Sequence, residues 1–392
     1  MIKVKLLNSH IGRNNAVFHP FHIPLMKFLY EYGIEILLPG RDDLPSDLKK
    51  RSETSDYDYI FIGPQDFVDK KKSLKDSVEW GLENINKLSE GGDYFLFDGF
   101  DSTSLLGTYD VFEQSNAIYM FKNQLLKNRE DYNKPYIGGK WFFGTDDNLG
   151  NSYDIPEDKW NRIKLSGINL INIYMSRMNL WRKNGNKKDL FGNHNSRFFK
   201  LISPENKVSD ISAIYLTEIG KGYEHGIRND LLYTKHRKDS WKILSKLNYN
   251  IITSDHMGKH LTPDSDEYSK KYYEYISCLA KSRVSISPFG QGEICYRDME
   301  LMQLGTLMIK PDMSMINTNP NIYINDETYI PCKYDWSDLE EKVDYVLSNY
   351  NEINERIIYA MRAKLNENFH TDMFCNHWYE IFKNLPGVKQ VK

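Results

Sequence analysis

Short apolar runs alternate with longer polar segments along most of the chain, and this alternation predicts strands followed by helices. In the first half the pattern predicts strands at residues 2–7, 34–38, 57–62, 94–97 and 117–121, with helices at 24–32 and 70–88. In the second half it predicts strands near residues 211–216, 284–286 and 306–309, and helices at 268–280, 293–304, 338–347, 352–365 and 371–385. Repeated βα units of this kind predict Rossmann-like parallel sheets, whose ligands bind at the carboxyl ends of the strands.

The segment from residue 284 to 311, VSISPFGQGEICYRDMELMQLGTLMIKP, carries the most chemistry. Its pattern predicts a strand, a glycine turn, a helix over residues 293–304 and a further buried strand. Unpaired N–H groups and aligned peptide dipoles at the start of a helix favour phosphate binding. Helical spacing places Glu293, Arg297, Glu300 and Leu304 on one face. These residues suit a diphosphate and a sugar hydroxyl, and they equally suit a solvated ladder of ion pairs worth roughly a few tenths of a kcal/mol each.

The order of these residues resembles the nucleotide-sugar-binding domain of GT-B glycosyltransferases, in the broad group of bacterial and exostosin-like family-1-type enzymes. The residues that carry the resemblance are Ser287-Pro288-Phe289-Gly290, Gly292-Glu293, Arg297-Asp298-Met299-Glu300, Gly305-Thr306 and Lys310-Pro311-Asp312. The resemblance implies an α/β fold of two Rossmann-like doubly wound domains that face each other across a cleft. It also implies a C-terminal helix that crosses back to the N-terminal domain.

The resemblance implies roles for individual residues as well. In the family the acidic residue on the helix holds the ribose of the donor, which gives that role to Glu300, and Arg297 would contact the phosphates. The turn and the helix start lie under the diphosphate and the sugar, and the residues at those positions are Gly290, Gln291, Gly292 and Glu293. Retaining members commonly have seven residues between the paired glutamates, whereas six separate them here. The role of Glu293 and the stereochemical course therefore stay open.

A departing nucleoside diphosphate needs compensating positive charge. Related enzymes often take it from a basic residue after the first strand of the second domain, and Arg228 is the first choice because it follows Gly226 at a predicted helix start. Lys235 and Arg237 are weaker candidates, and an exposed basic helix face explains all three equally well. Asp264-Ser265-Asp266 has the letters of a metal-binding DxD motif but lies in a loop that precedes a helix, so we interpret it as a cap. No metal or other cofactor is therefore expected.

Acidic and histidine side chains after strands of the first half are candidates for an acceptor-side base. Asp98 and Asp101 follow an apolar strand in the sequence FDGFDST, where a carboxylate can accept a proton from a hydroxyl. The alternative for this pair is an Asx turn or a helix cap. His10 follows the first strand and titrates near neutral pH, with a structural hydrogen bond as its alternative.

Length and charge limit the remaining possibilities. A chain of 392 residues exceeds what one hydrophobic core usually serves, and we predict an acceptor-binding domain at residues 1–205, a donor-binding domain at 206–370 and a returning helix at 371–392. A formal charge of -3 gives no electrostatic case for a nucleic-acid partner. Four widely spaced cysteines and the absence of a long apolar run predict reduced thiols and a cytoplasmic protein, with peripheral membrane contact if the acceptor is lipid-linked.

These observations lead to one function hypothesis and two alternatives. The hypothesis is a metal-independent glycosyltransferase that moves a sugar from a nucleotide-sugar donor to a hydroxyl acceptor, either a glycan or a lipid-linked molecule. The first alternative is a GT-B-fold nucleotide-sugar epimerase, which needs no acceptor. The second is a nucleotide- or glycan-binding module without turnover.

Overall fold

The computed structural model describes residues 1–7, 29–38, 46, 50, 56–63, 66–69, 72–99, 102–134, 153–167, 206–215, 230–253, 266–290, 292–368 and 371–385. These residues form two separate parallel sheets, each with helices packed against it. The predicted α/β architecture of two doubly wound domains is therefore confirmed. Within the described stretches, no helix is both long enough and apolar enough to cross a membrane.

The first sheet has six parallel strands in the order β2-β1-β3-β4-β5-β7. The strands of this half are β1 Ile2–Leu7, β2 Ile34–Leu37, β3 Tyr59–Ile62, β4 Tyr94–Asp98, β5 Met120–Lys122, β6 Gln124–Leu126 and β7 Ile163–Leu165, of which β6 lies outside the sheet. The helices are α1 Leu74–Ser89, α2 Thr108–Gln114 and α3 Glu157–Trp160, with a 3-10 helix at Arg129–Asn133. β2 lies on one side of β1 and β3 lies on the other, so the strand order reverses at β1.

Both faces of this sheet are buried, which explains why its strands are continuous apolar runs rather than alternating ones. In β3, Ile60 and Ile62 point into the core on the side of α1 and α2. Tyr59 and Phe61 point to the opposite face and pack in a second core. Alternate residues of a strand therefore serve two different cores, as the pleat of a sheet requires.

The second sheet has five parallel strands in the order β13-β11-β10-β8-β9. The strands of this half are β8 Ser209–Ala213, β9 Ile251–Thr253, β10 Ser282–Ile286, β11 Leu307–Pro311, β12 Ile316–Thr318 and β13 Ile330–Cys332, of which β12 lies outside the sheet. The helices are α4 Asp230–Leu244, α5 Asp266–Lys281, α6 Tyr296–Leu304, α7 Leu339–Ser348 and α8 Tyr350–Asn368. The strand order reverses between β8 and β10.

The last described helix, α9 Thr371–Lys383, crosses back to the first sheet, as predicted. Trp378 and Phe382 recur at helical spacing and are buried in the same core as Phe61 and Phe121. The Trp378 ring lies 5.0 Å from Phe121 and 5.9 Å from Phe61, measured between ring centroids. Aromatic burial of this kind contributes more than its area alone, so this helix belongs to the first domain energetically.

A two-stranded antiparallel ladder joins the two halves, and the sequence does not predict it. Strand β6 pairs with β12, with Gln124 opposite Thr318 and Leu126 opposite Ile316. The ladder is extended by a hydrogen bond from the Lys127 amide to the Met315 carbonyl at 2.9 Å. Residues of the first half are thereby fixed to a segment of the second half through backbone hydrogen bonds.

Lys207 is a buried cation at the start of the second domain. Its Nζ donates to the Ala280 carbonyl at 2.6 Å, near the end of α5, and lies 3.3 Å from the Thr306 hydroxyl. A lysine suits this position because the last carbonyls of a helix have no partner within the helix. Burial nevertheless disfavours the charged form and lowers the pKa of Lys207 to about 8.

We expect Lys207 to make the stability of this domain depend on alkaline pH. Its pKa is about 8 in the folded chain and has an ordinary value of 10.5, so between these values the unfolded chain binds more protons and stability rises with pH. The free energy of unfolding of the wild type, relative to Lys207→Met, should rise by up to about 3 kcal/mol across that window. Urea unfolding of both proteins at pH 7, 8, 9 and 10 measures the difference. A difference that does not change with pH would contradict the assignment.

Candidate functional site

The carboxyl ends of β8 and β10 define a crevice, because the chain leaves these neighbouring strands in opposite directions across the sheet. After β8 the chain reaches Ile214 and Tyr215, both buried. After β10 it runs through a buried turn at residues 287–290 and 292–293 and then enters α6. The residues of the predicted donor site lie along this turn and the helix that follows.

Helix α6 begins at Tyr296 rather than at residue 293, so the predicted start is wrong by three residues. The Cys295 amide donates to Oδ2 of Asp298 at 3.0 Å, and this side-chain cap fixes where the helix begins. The residues before it form a turn that the Gly290 amide closes on the Gly292 carbonyl at 3.0 Å. Glu293 therefore precedes the helix and does not share a helical face with Arg297 and Glu300.

Asp298 is the centre of a buried network that holds this turn together. Its Oδ1 accepts from the Ser287 hydroxyl at 2.5 Å, and its Oδ2 accepts from the Tyr323 hydroxyl at 2.8 Å. The ammonium of Lys310, on β11, lies 3.0 Å from the same Oδ2 and 4.9 Å from the centre of the Phe289 ring. Neither Asp298 nor Lys310 has any exposed surface. The Asp298 carboxylate thus connects β10, α6, β11 and the chain near Tyr323 at the floor of the crevice.

Arg297 places a cation at the carboxyl end of β8. Its Nη2 donates to the Ile214 carbonyl at 2.8 Å, and its guanidinium carbon lies 5.4 Å from the centre of the Tyr215 ring. Its Nε and Nη1 atoms are buried, and no group in the described part of the chain accepts a hydrogen bond from them. Burial opposes the charge, but Tyr275, Cys295, Asp298 and Glu300 together raise the pKa of Arg297, so it remains a cation. A buried guanidinium with two unused donors is suited to an anion.

Glu300 lies one turn further along α6, beside Arg297. It is buried, and its Oε2 accepts a hydrogen bond from the Tyr275 hydroxyl of α5 at 2.5 Å. Residues three apart on a helix lie on the same side, so the predicted pairing of Arg297 with Glu300 on one face is consistent with the helix as observed. The face offers a cation and a carboxylate within one turn.

Glu293 reaches out of its own domain. Its Oε2 accepts from the Thr103 amide at 3.0 Å and from Nε2 of Gln124 at 3.0 Å, while its Oε1 accepts from the Thr103 hydroxyl at 2.8 Å. Burial raises the pKa of Glu293, and the hydrogen bonds from Thr103 and Gln124 act in the opposite direction. Thr103 and Gln124 belong to the first domain, so this carboxylate bridges the two halves.

Arg237 supplies a second cation against the glycine turn. Its Nε donates to the Phe289 carbonyl at 3.1 Å, and its Nη2 lies 3.2 Å from the point that a β-carbon on Gly290 would occupy. A side chain at position 290 would therefore crowd the guanidinium. Lys235, two residues earlier on α4, is exposed and pairs with Asp239 at 2.6 Å. Arg228 lies outside the described residues, as does Gln291.

His236, next to Arg237, adds no charge to the turn. Its ring stacks between Tyr334 and Trp336, with centroid distances of 4.4 Å and 4.7 Å. Burial, and then the charges of Arg237 and Lys310, lower the pKa of His236 to about 3. The histidine is therefore neutral at physiological pH and serves as an aromatic wall behind Phe289.

Asp98 lies at the end of β4, as predicted, and is fully buried. Its Oδ2 accepts from the Thr108 hydroxyl at 2.6 Å and from the Lys122 ammonium at 2.7 Å. A buried lysine needs such a counterion, so the contacts describe Asp98 as the partner of Lys122. Its role as an acceptor-side base stays a prediction. The other two candidates for that base, Asp101 and His10, lie outside the described residues.

No protein-family model matches the chain, and no curated protein matches its sequence. Among solved structures, HepE from Anabaena in complex with UDP aligns over 98% of this chain and 100% of its own, at 11% identity and a TM-score of 0.44. Sucrose-phosphate synthase from Thermosynechococcus elongatus aligns over 98% of each chain at 11% identity and 0.45. UDP-GlcNAc 2-epimerase from Methanocaldococcus jannaschii aligns over 98% of this chain and 99% of its own, at 13% identity and 0.39.

The chain folds into two doubly wound parallel sheets, and its last described helix returns to the first sheet. Identities and scores as low as those above assign no activity, so the chemistry of this chain has to be argued from its own residues.

Sequence reasoning missed several residues that build the candidate site. Thr103 and Gln124 hold Glu293 from the other domain, and Tyr275 holds Glu300. Lys310 was part of the resemblance without a role, yet it is the counterion of Asp298. Polar residues inside buried segments were the available signal, because a polar group in a core must have a partner.

Proposed function

We propose that this protein is a glycosyltransferase that transfers a sugar from a nucleotide-sugar donor to a hydroxyl acceptor and uses its own cations instead of a metal. The observation that carries the proposal is the buried guanidinium of Arg297 at the point where the strand order reverses, because none of the residues that the structure describes accepts a hydrogen bond from its Nε or Nη1. Nucleotides bind doubly wound sheets at this point. Glu300 stands on the same face of α6, where a carboxylate can accept hydrogen bonds from the ribose hydroxyls.

The charges suit a nucleoside diphosphate as leaving group. Arg237 donates to the turn that contains Gly290 and Gly292, Arg297 lies at the start of the helix that follows this turn, and the charge of Lys310 is already offset by Asp298. Fixed cations in a water-poor crevice stabilise the negative charge that develops on the leaving oxygen as the sugar bond breaks. The acceptor would enter from the first domain. Asp101 and His10 stay as predicted bases there, and the cytoplasmic location also stays a prediction.

Removal of Arg297 should weaken nucleotide binding strongly. We expect Arg297→Met to lose about 100-fold in affinity, because a buried hydrogen-bonded charge contributes roughly 2–3 kcal/mol. Glu300→Gln should lose about ten-fold, through the ribose. Binding of UDP, GDP, ADP, TDP and CMP is measured by thermal shift and calorimetry. Lys235→Met is the matched control, since it removes an exposed cation from the neighbouring helix α4.

Two results would contradict the proposal. One is a wild type that none of these nucleotides stabilises. The other is an Arg297→Met protein whose affinity equals that of Lys235→Met. With a nucleotide-sugar donor and no acceptor, an altered nucleotide sugar detected by NMR would instead identify the epimerase.

A further inference from the structure

The geometry assigns Thr103 and Gln124 of the first domain as positioning residues for Glu293, so that the carboxylate on the donor-side turn is oriented by the opposite domain. This inference rests on the proposed function and extends it. The donor-side turn would then be complete only while the two domains are in contact. With the domains apart, the site would lack an oriented carboxylate. A donor that is bound loosely in the open cleft would therefore not react.

Three hydrogen bonds support the assignment. Thr103 donates from its amide to one oxygen of Glu293 and from its hydroxyl to the other, at 3.0 Å and 2.8 Å. Gln124 donates from its side-chain amide at 3.0 Å. All three side chains are buried, with at most 2% exposed surface. Both carboxylate oxygens are thus fixed in position by residues that lie 190 and 169 positions away in the sequence.

The two donors are themselves held in place. The Tyr132 hydroxyl accepts from the Leu126 amide at 2.9 Å and donates to the Thr103 carbonyl at 3.1 Å. Gln124 is the first residue of β6, whose ladder with β12 is a direct link to the second domain. A residue that orients another must have its own position determined, and here hydrogen bonds from both domains determine it.

The physical reason for this arrangement is the charge of a buried carboxylate. Removal from water favours the protonated form, whereas donors aimed at both oxygens favour the ionised form. An ionised Glu293 beside the sugar can stabilise the positive charge that develops on the ring as the bond to the leaving group weakens. Loss of one donor would shift the balance towards the neutral acid, which cannot stabilise that charge.

Among the described residues, the charge of Glu293 acts on the hydroxyl groups of Tyr132 and Tyr334. Burial raises the pKa of Tyr334 to about 12 and raises that of Tyr132 well above its ordinary value of 10, and Glu293 adds to both shifts. Both tyrosines therefore stay neutral between pH 4.5 and 9 and add no titration of their own to that of Glu293 in this range.

The first test needs no ligand. Protein labelled with carbon-13 at the glutamate side-chain carboxyl is titrated by NMR from pH 4.5 to 9, and Glu293→Gln identifies the resonance of Glu293. We expect Thr103→Val and Gln124→Leu to move the midpoint to higher pH, and Thr103→Ser to restore it. Thr306→Val is the matched control, because it removes a buried threonine hydrogen bond at the amino end of β11, whereas Glu293 follows the carboxyl end of β10. Equal midpoints in all variants would overturn the assignment.

The second test measures turnover. The donor is whichever of UDP-glucose, GDP-mannose, ADP-glucose and TDP-glucose the wild type consumes fastest, and nucleotide release is followed against pH. Thr103→Val and Gln124→Leu should each lower kcat about ten-fold with KM within two-fold, and should move the acidic limb of the profile to higher pH. Thr103→Ser should recover both. Variants with the wild-type kcat and acidic limb would overturn the inference.

Failure of the two proposals is distinguishable. If the wild type binds none of these donors, the proposed function fails, while the NMR midpoints still decide whether Thr103 and Gln124 keep Glu293 charged. If the wild type turns a donor over but the variants lose donor affinity and kcat in proportion, the residues serve the structure of the turn and not the orientation of Glu293.

Discussion

Replacement of Asp298 with alanine is expected to destabilise the second domain by about 3–5 kcal/mol. The substitution leaves the ammonium of Lys310 in a fully buried position beside the rings of Phe289 and Tyr323 and without its carboxylate. It also removes the acceptor for the hydroxyls of Ser287 and Tyr323 and for the Cys295 amide at the start of α6. A buried charge without a counterion costs far more than the lost contact, which is why the effect should exceed that of an ordinary cap.

Urea unfolding of four variants, namely Asp298→Ala, Lys310→Met, their double variant and Asp335→Ala, can isolate this cause. Asp335→Ala removes an exposed carboxylate that accepts from the Ser337 amide at 3.0 Å, and it should cost less than about 1 kcal/mol. The double variant Asp298→Ala with Lys310→Met should be more stable than Asp298→Ala alone, because it no longer contains a buried ammonium without a counterion. If the double variant is less stable by the sum of both single effects, the buried ion pair is not the reason.

The strands were predictable because burial on both faces requires continuous apolar runs. β3, β4 and β11 are buried along their whole length, and each coincides with a run visible in the sequence. The returning helix was predictable for a related reason. Trp378 and Phe382 recur at helical spacing, and an apolar face of that size needs a second surface to cover it.

The start of α6 was not predictable from residue types alone. Cysteine is not a preferred residue at the start of a helix, and position 293 looked equally suitable. What decides the boundary is the hydrogen bond from the Cys295 amide to Asp298, whose carboxylate is fixed by groups distant in sequence. Tertiary contacts therefore set a local boundary, and Arg297 with Glu300 kept the predicted spacing only because both lie inside the helix.

The contact between the domains was also hidden. Strands β6 and β12 have three residues each, too few for a recognisable periodicity. Within this region Lys122 is buried against Asp98, and Gln124 reaches Glu293. Pairing between segments almost two hundred residues apart leaves no local trace, and so the donor-side carboxylate could be named from the sequence but its partners could not.

Glu293→Gln is expected to lower turnover by about 10²–10³-fold without a loss of stability at neutral pH. A glutamine can keep the same contacts. Its carbonyl can accept from the Thr103 amide and Gln124, and its amide can donate to the Thr103 hydroxyl, which exchanges the direction of one hydrogen bond. Only the charge is lost, and the charge is what the developing positive centre on the sugar requires. Glu355→Gln, on the exposed face of α8, is the matched control for the substitution itself.

The same variant should show how much the charge of Glu293 lowers the free energy of unfolding. The pKa of Glu293 is raised by burial above its ordinary value of 4.5, so between the two values the folded chain binds more protons than the unfolded chain. The contribution of this group to stability is therefore complete below the ordinary value and is lost as pH rises through the folded value. Glutamine does not titrate, so the stability of Glu293→Gln relative to the wild type should increase from pH 4.5 towards neutral pH. If the variant is equally destabilised at every pH and its turnover is unchanged, Glu293 is a structural contact between the domains and not a catalytic carboxylate.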